Sequence, residues 1–201
     1  MPLRDHLVAA QRDRVRAAFP EPLPGAKGKT ALVLGSTSFG YGSSTVQALL
    51  EAGFGSVVGV GMARAPEFAK GFVPYKADPA WFVVGAMHQS DPRLTTFLGD
   101  AFADSTRAAV SHHLRERGTK VDLLVYSLAA PRRSYGGRTW TSSLKVMGEP
   151  LDLVNVDVRA EQGVPLHVDV ATSDEAEGTR RVMGGEDLAL WGTGLLSQGL
   201  L

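Results

Sequence analysis

At 201 residues, with 44% hydrophobic residues and a formal net charge of zero, the chain has the size and composition of one globular α/β domain. No basic face for nucleic acid and no acidic tail stands out, and charges of both signs are interspersed as on a solvated surface. The chain has no cysteine, which excludes disulfides, thiolate catalysis and Cys-based zinc or iron–sulfur sites.

Five histidines remain as ligands (His6, His88, His112, His113 and His167), none in HxxxH or HExxH spacing, so no metal centre is expected. The opening stretch alternates charged with apolar residues and contains no secretory apolar core. No segment approaches the ~18 apolar residues of a membrane span, so a cytoplasmic protein is expected.

Residues 3–19 place Leu3, Leu7, Val8, Val15 and Phe19 near one face of an amphipathic helix. Pro20, Pro22, Pro24 and Gly25 end it, giving an N-terminal helix and Pro-rich linker over 1–27 and a Rossmann-like half domain over 28–201. Lys29 to Gly35 is a short apolar run suited to a strand buried on both faces of a parallel sheet. Small residues follow from Ser36 to Ser44. A helical pattern through Val46, Leu49 and Leu50 then stops at Gly53, and Ser56 to Val60 reads as a second strand.

This order is the opening βαβ unit of a dinucleotide fold. Gly35, Gly40 and Gly42 allow a tight turn and close backbone approach. The helix that follows presents free amides and a partial positive charge to a phosphate. Residues 63–98, with Pro66, Pro74, Pro79 and Pro92 among aromatics, read as an irregular excursion over one face. Gly99 to Phe102 leads into a helix from about Ser105 to Arg117. Val121 to Tyr126 is another buried strand, with Ser127 to Pro131 at its carboxyl end, the edge where open α/β sheets hold ligands. From Arg132 to about Thr172, short alternating runs around Gly136-Gly137 and Val164 to Val170 read as a β-hairpin excursion. The last segment opens with Ser173 as helix cap and runs through Val182, Met183, Leu188, Leu190 and Trp191 toward Leu201.

Five stretches together resemble the FabV-type trans-2-enoyl-CoA or acyl-carrier-protein reductases, extended members of the short-chain dehydrogenase superfamily. They are LVLGSTSFGYG (Leu32 to Gly42), GDAFADSTR (Gly99 to Arg107), KVDLLVYSLAAPRR (Lys120 to Arg133), LKVMGEP (Leu144 to Pro150) and VMGGEDLALW (Val182 to Trp191). They stand in family order at family spacing and cover about residues 28–201. The resemblance implies a Rossmann-like α/β fold that is incomplete without a second half, because the family's proteins are about twice this long. The family's catalytic tyrosine and lysine, arranged Y-x8-K, lie beyond the segment matched here. None of Tyr41, Tyr75, Tyr126 and Tyr135 has a lysine nine positions on. Enoyl reduction needs a proton donor for the carbanion left by hydride attack, and a tyrosine tuned by lysine is that donor.

Two departures bear on the cofactor. The family turn has one residue fewer between its first two glycines, so Phe39 or a neighbour is an insertion between Gly35 and Gly40. The family's acid for the ribose hydroxyls is absent from Gly59-Val60-Gly61-Met62-Ala63-Arg64, and Arg64 follows; if a dinucleotide binds, Arg64 favours NADPH, and otherwise the site no longer binds one.

The resemblance places Gly35, Ser36, Phe39, Gly40, Tyr41 and Gly42 at the phosphate turn and Arg64 at the ribose. It puts Ser127, Leu128 and Ala129 in the pocket lining, and Asp100 and Ala101 at the adenine turn, where the aspartate is equally an ordinary helix cap. Arg132 and Arg133 either steer a phosphorylated or sulfated substrate or form a solvated turn. Trp81-Phe82 is either a cofactor loop or core, and Trp191 is core.

Three function classes stay open. One is a split NAD(P)H-dependent reductase whose tyrosine and lysine come from a separately encoded partner in a heterodimer. The second is a two-protein enzyme of secondary metabolism repurposed for a non-redox step that proximity accelerates, such as aziridine-type ring closure on a small activated substrate, with no cofactor. The third is a non-catalytic scaffold subunit. The two altered cofactor determinants tilt the expectation toward the second.

Overall fold

The computed structural model describes residues 3–37, 41–62, 91–158 and 160–201. In chain order the elements are helix α1 (Leu3–Ala18), β1 (Thr30–Leu34), α2 (Tyr41–Glu51), β2 (Ser56–Gly61), β3 (Leu94–Leu98), α3 (Asp104–Glu116) and β4 (Leu123–Tyr126). Two hairpins follow, β5 (Arg132–Tyr135) with β6 (Arg138–Thr141) and β7 (Leu151–Asp157) with β8 (Gln162–Val168). Helices α4 (Ser173–Met183) and α5 (Glu186–Ser197) end the chain. They fall into two compact units, residues 1–128 with 188–201, and residues 129–187.

The first unit is built on a parallel sheet ordered β3-β2-β1-β4, with Leu32 beside Val58 and Leu124. Alternation divides the strand residues between two cores. Leu32, Leu34, Val58 and Val60 face one way and pack with Val110 and Leu114 of α3 and Trp191 and Leu195 of α5. Ala31, Val33 and Val57 face the other and pack with Val46, Leu49 and Leu50 of α2. Every residue of β1 is buried, as a strand covered on both faces requires. Asp122 fixes the start of the sheet: its carboxylate accepts from the Thr30 amide at 2.8 Å and from Lys29 Nζ at 2.6 Å. Among the described residues β4 pairs only with β1, and Leu123 is exposed.

Helix α1 meets α2 through polar links at one-turn intervals. Gln11 Nε2 donates to Ser43 Oγ, Gln47 Nε2 to the Arg12 carbonyl, and Arg16 Nε to Glu51, while Val15 and Phe19 of the expected apolar face are half-buried.

Three readings of the sequence are corrected. Leu94–Leu98, assigned to the irregular excursion, is a strand that among the described residues pairs only with β2; residues 63–90 lie outside the described residues. The carboxy-terminal segment is two helices, because the chain is extended at Gly184. The cap of α4 is Thr172 rather than Ser173: Thr172 Oγ1 accepts from the Glu175 amide, and Glu175 accepts from the Thr172 amide, a reciprocal capping box.

In the second unit Gly136-Gly137 makes the expected tight turn between β5 and β6. Gly178 lets α4 approach β6, where an added Cβ would stand 2.5 Å from the Thr141 carbonyl oxygen.

Candidate functional site: a crevice at the strand-order reversal

In an open parallel sheet, ligands enter where strand order reverses, outside the carboxyl ends of the strands. Here that point lies between β1 and β4, and Gly35–Thr37 and Ser127–Leu128 flank it. Gly35 sits at φ +88°, and a Cβ there would stand 2.2 Å from the Ser127 carbonyl oxygen. The Gly35 and Ser36 amides both donate to the Val60 carbonyl, and the Ser127 amide donates to that of Leu34. Glycine is therefore required twice over, by conformation and by contact.

The neighbouring strand is shaped by the same turn. A Cβ on Gly59 would stand 2.7 Å from Ser36 Oγ, and one on Gly61 2.2 Å from Thr37 Oγ1. Gly59 and Gly61 let these side chains cross the end of β2. The sequence reading missed that role, although glycines at alternate positions of a buried strand are the signal for close approach. Ser36 Oγ is buried and has no hydrogen-bond partner among the described residues.

Helix α2 starts at Tyr41 and has no acidic side chain in its own first turn to offset the positive end of its dipole. Tyr41 is exposed and Gly42 buried. Phe39, Gly40 and Arg64, together with Trp81 and Phe82, lie outside the described residues.

Asp100 and Ala101 form a turn ahead of α3. Asp100 Oδ1 accepts from the Phe102 amide at 2.9 Å, and the carbonyl of buried Ala101 accepts from Trp191 Nε1 at 3.1 Å. Trp191 is core, as expected, and 1% exposed. Leu128 packs against the α3–α5 side of the core.

Ala129 and Arg132 belong to the second unit, and both are exposed. Arg133 is neither solvated nor free to steer a substrate. It is 1% exposed, donates to Glu186 at 2.7 Å and to the Arg181 carbonyl at 2.8 Å, lies 3.7 Å from Asp187, and stacks its guanidinium 4.5 Å from the Tyr135 ring. Two of the five sequence stretches, ending at Arg133 and holding Glu186-Asp187, thus meet in one buried ion cluster. Sequence spacing alone does not reveal a partnership across about 50 residues.

A cavity of about 360 Å³ lies elsewhere, at the amino end of the sheet beside Arg12, Arg16, Gln47, Glu51, Asp91 and Arg93. Two of its three arginines are held in ion pairs. Arg16 pairs with Glu51, and Arg93 pairs with Asp91 while donating to the Leu50 carbonyl at the end of α2, which holds the Asp91 carboxyl below its ordinary pKa. Among the described residues no three His, Asp or Glu side chains converge to hold a metal, and no helix is long and apolar enough to cross a membrane.

Residues 79–201 match the family model described as the trans-2-enoyl-CoA reductase catalytic region. The chain belongs to that family. It is 38% identical over 198 residues to "Enoyl-[acyl-carrier-protein] reductase [NADH]" of Streptomyces avermitilis, covering 93% of this chain and 48% of that protein. It is 34% identical over 169 residues to "Trans-2-enoyl-CoA reductase [NADH]" of Clostridium perfringens, covering 81% and 42%. The crystal structure of Treponema denticola trans-2-enoyl-CoA reductase in complex with NAD superposes with a TM-score of 0.79 at 30% identity, over 98% of this chain and 49% of that one. The chain spans about half the length of these relatives.

Proposed function

We propose that this chain is the cofactor-cradle half of an NAD(P)H-dependent enoyl-thioester reductase, and that a second polypeptide completes the sheet beyond β4 and carries the proton donor. The observation that carries this reading is the Gly35–Ser127 approach at the strand-order reversal. A turn pressed this closely on the neighbouring strand end brings backbone and the α2 amino end, rather than a side chain at position 35, up to the crevice, while the Gly35 and Ser36 amides themselves brace the turn against the Val60 carbonyl. A dinucleotide fits that cradle through Gly35, Ser36 and the first turn of α2, with Ser127 and Leu128 on the opposite wall. When bound, the nicotinamide supplies a hydride to the β-carbon of the enoyl thioester. The protein's share is to position that carbon and to exclude water. The matched half contains no Tyr-Lys pair in the family spacing, so the proton for the α-carbon comes from the completing half.

The ribose end fits less well. Strand β2 ends at Gly61 and is followed by exposed Met62, the Thr37 side chain lies against Gly61, and the sequence that follows, Ala63-Arg64, lacks the family's acid. This favours a second reading, in which the crevice holds a small activated substrate for a non-redox ring closure within a two-protein biosynthetic enzyme. Calorimetric titration of NADH and NADPH into the chain co-purified with the product of the adjacent gene separates the two. Micromolar binding of NADPH supports the reductase and makes Arg64 the first residue to change. A folded complex that binds neither nucleotide overturns it and leaves the non-redox reading.

A further inference from the structure

The cavity at the amino end of the sheet is bounded by α1, α2 and the residues that lead into β3. It stands apart from the cradle, at the carboxyl end of α2 rather than beside Tyr41. Two of its cations are committed. Arg93 grips Asp91 through Nε at 3.0 Å and Nη2 at 2.6 Å, and its Nη1 donates to the Leu50 carbonyl at 2.9 Å, closing the end of α2. Arg16 Nε meets Glu51 Oε1 at 2.9 Å.

Two polar groups are left over. Arg12 is half-buried, and its guanidinium has neither an acid nor another acceptor among the described residues. Gln47 is 2% exposed; its Nε2 donates to the Arg12 carbonyl at 2.9 Å, while Oε1 is buried with no donor. A buried acceptor left unmade costs free energy that a fitting donor recovers, and a cation partly withdrawn from water gains most from a charged acceptor. Both residues line one cavity and are joined by that hydrogen bond, which puts them within the span of one small ligand.

Charge and hydrogen bonding together select the ligand. Three guanidinium groups face two carboxylates, Glu51 and Asp91, which leaves one positive charge to be matched. The ligand must bring a single negative charge for Arg12 and an acidic proton for Gln47 Oε1. A simple carboxylate has the charge without the proton; sulfate is doubly charged and has no proton. We propose that this cavity binds a singly ionised phosphate group, free or as a monoester, with its anionic oxygens on Arg12 and its P–O–H donating to Gln47 Oε1. At about 360 Å³ the cavity holds the phosphate together with a small organic substituent, given the ~30 Å³ that one water occupies in the liquid.

The test is calorimetric titration of the whole chain with methyl phosphate, with inorganic phosphate as a parallel arm, and it does not depend on dinucleotide binding. The second pKa of a phosphate ester is about 6, so methyl phosphate is largely the monoanion at about pH 5.5 and largely the dianion at about pH 7.5. Affinity is expected to fall about tenfold or more between the two, the reverse of an ordinary arginine cluster that favours the dianion. R12Q alters a guanidinium with no partner in the fold. It is expected to keep the parent's circular dichroism and melting temperature and to lose affinity by about tenfold or more. Sulfate is expected not to compete. Equal affinity for the two phosphates assigns the site to free phosphate, and tighter binding of methyl phosphate assigns it to an ester. No binding of either, binding that tightens with rising pH, or binding indifferent to R12Q would each overturn the proposal. The last outcome would move the phosphate to the α2 amino end, which separates this cavity from the cradle of the reductase reading.

Discussion

Substituting Gly35 with alanine tests the crevice directly. Alanine at φ +88° pays the left-handed backbone penalty of about 1–2 kcal/mol. Its Cβ would also stand 2.2 Å from the Ser127 carbonyl oxygen and 2.7 Å from the carbonyl carbon, so the end of β4 must retreat, at the roughly 1–3 kcal/mol typical of overpacking. Together these predict a loss of about 2–5 kcal/mol, a large part of the ~5–15 kcal/mol that stabilises an ordinary domain. Gly118 is the control, because it also has positive φ, +60°, yet an added Cβ meets nothing within 4 Å. G118A should lose only the backbone share. Urea unfolding of both variants at equal m-value reads the difference, and G35A should exceed G118A by about 1 kcal/mol or more. If the two variants lose equal stability, then Gly35 does not press on Ser127, and the carrying observation for the cradle fails with it.

Replacing Arg133 with alanine strips a buried cation from Glu186 and Asp187 and should cost about 3 kcal/mol in thermal or urea unfolding; an effect below about 1 kcal/mol would mean that the cluster is solvated. Thr172 to alanine removes the side-chain half of the capping box and should cost about 1 kcal/mol, seen as fraying of α4 by amide exchange, whereas T172S retains the cap. Glu175, held by Lys145 and the Thr172 amide, and Glu177, held by Arg180 and Arg181, both titrate in the fold at about 2. Their ordinary value is 4.5, so their contribution is complete above that pH and is lost as pH falls from 4.5 toward 2. Circular dichroism should show α4 loosening in that window, and E175Q with E177Q should flatten the transition.

The sheet was legible where one physical signal dominated. Thr30–Leu34 and Ser56–Gly61 are continuous small or apolar runs because both faces are covered, and the glycine turn between β1 and α2 follows from the phosphate-binding pattern. Strand β3 was not legible, since Leu94-Thr-Thr-Phe-Leu98 carries two threonines at an edge where only Leu94 is fully buried. The break between α4 and α5 lies at Gly184-Gly185, a local stop signal that the reading of one run of apolar residues from Val182 to Trp191 passed over. At the candidate site, Gly35, Ser36, Ser127 and Leu128 lie together beyond the carboxyl ends of β1 and β4. Arg133 illustrates the limit of reading a basic pair locally: one arginine of the pair is exposed, while its neighbour is buried by acids that stand about 50 residues further on.

The order β3-β2-β1-β4 also sets a timetable for the chain as it is made. β1 gains its first neighbour once Gly61 has emerged, but its second arrives only with Tyr126, roughly 65 residues later. At about 5–20 residues per second that wait lasts some 3–13 seconds. During it, one edge of the most apolar strand in the nascent protein stays open while the ribosome is still occupied. Chaperone capture on the ribosome should therefore peak within this interval and fall away as β4 closes the gap.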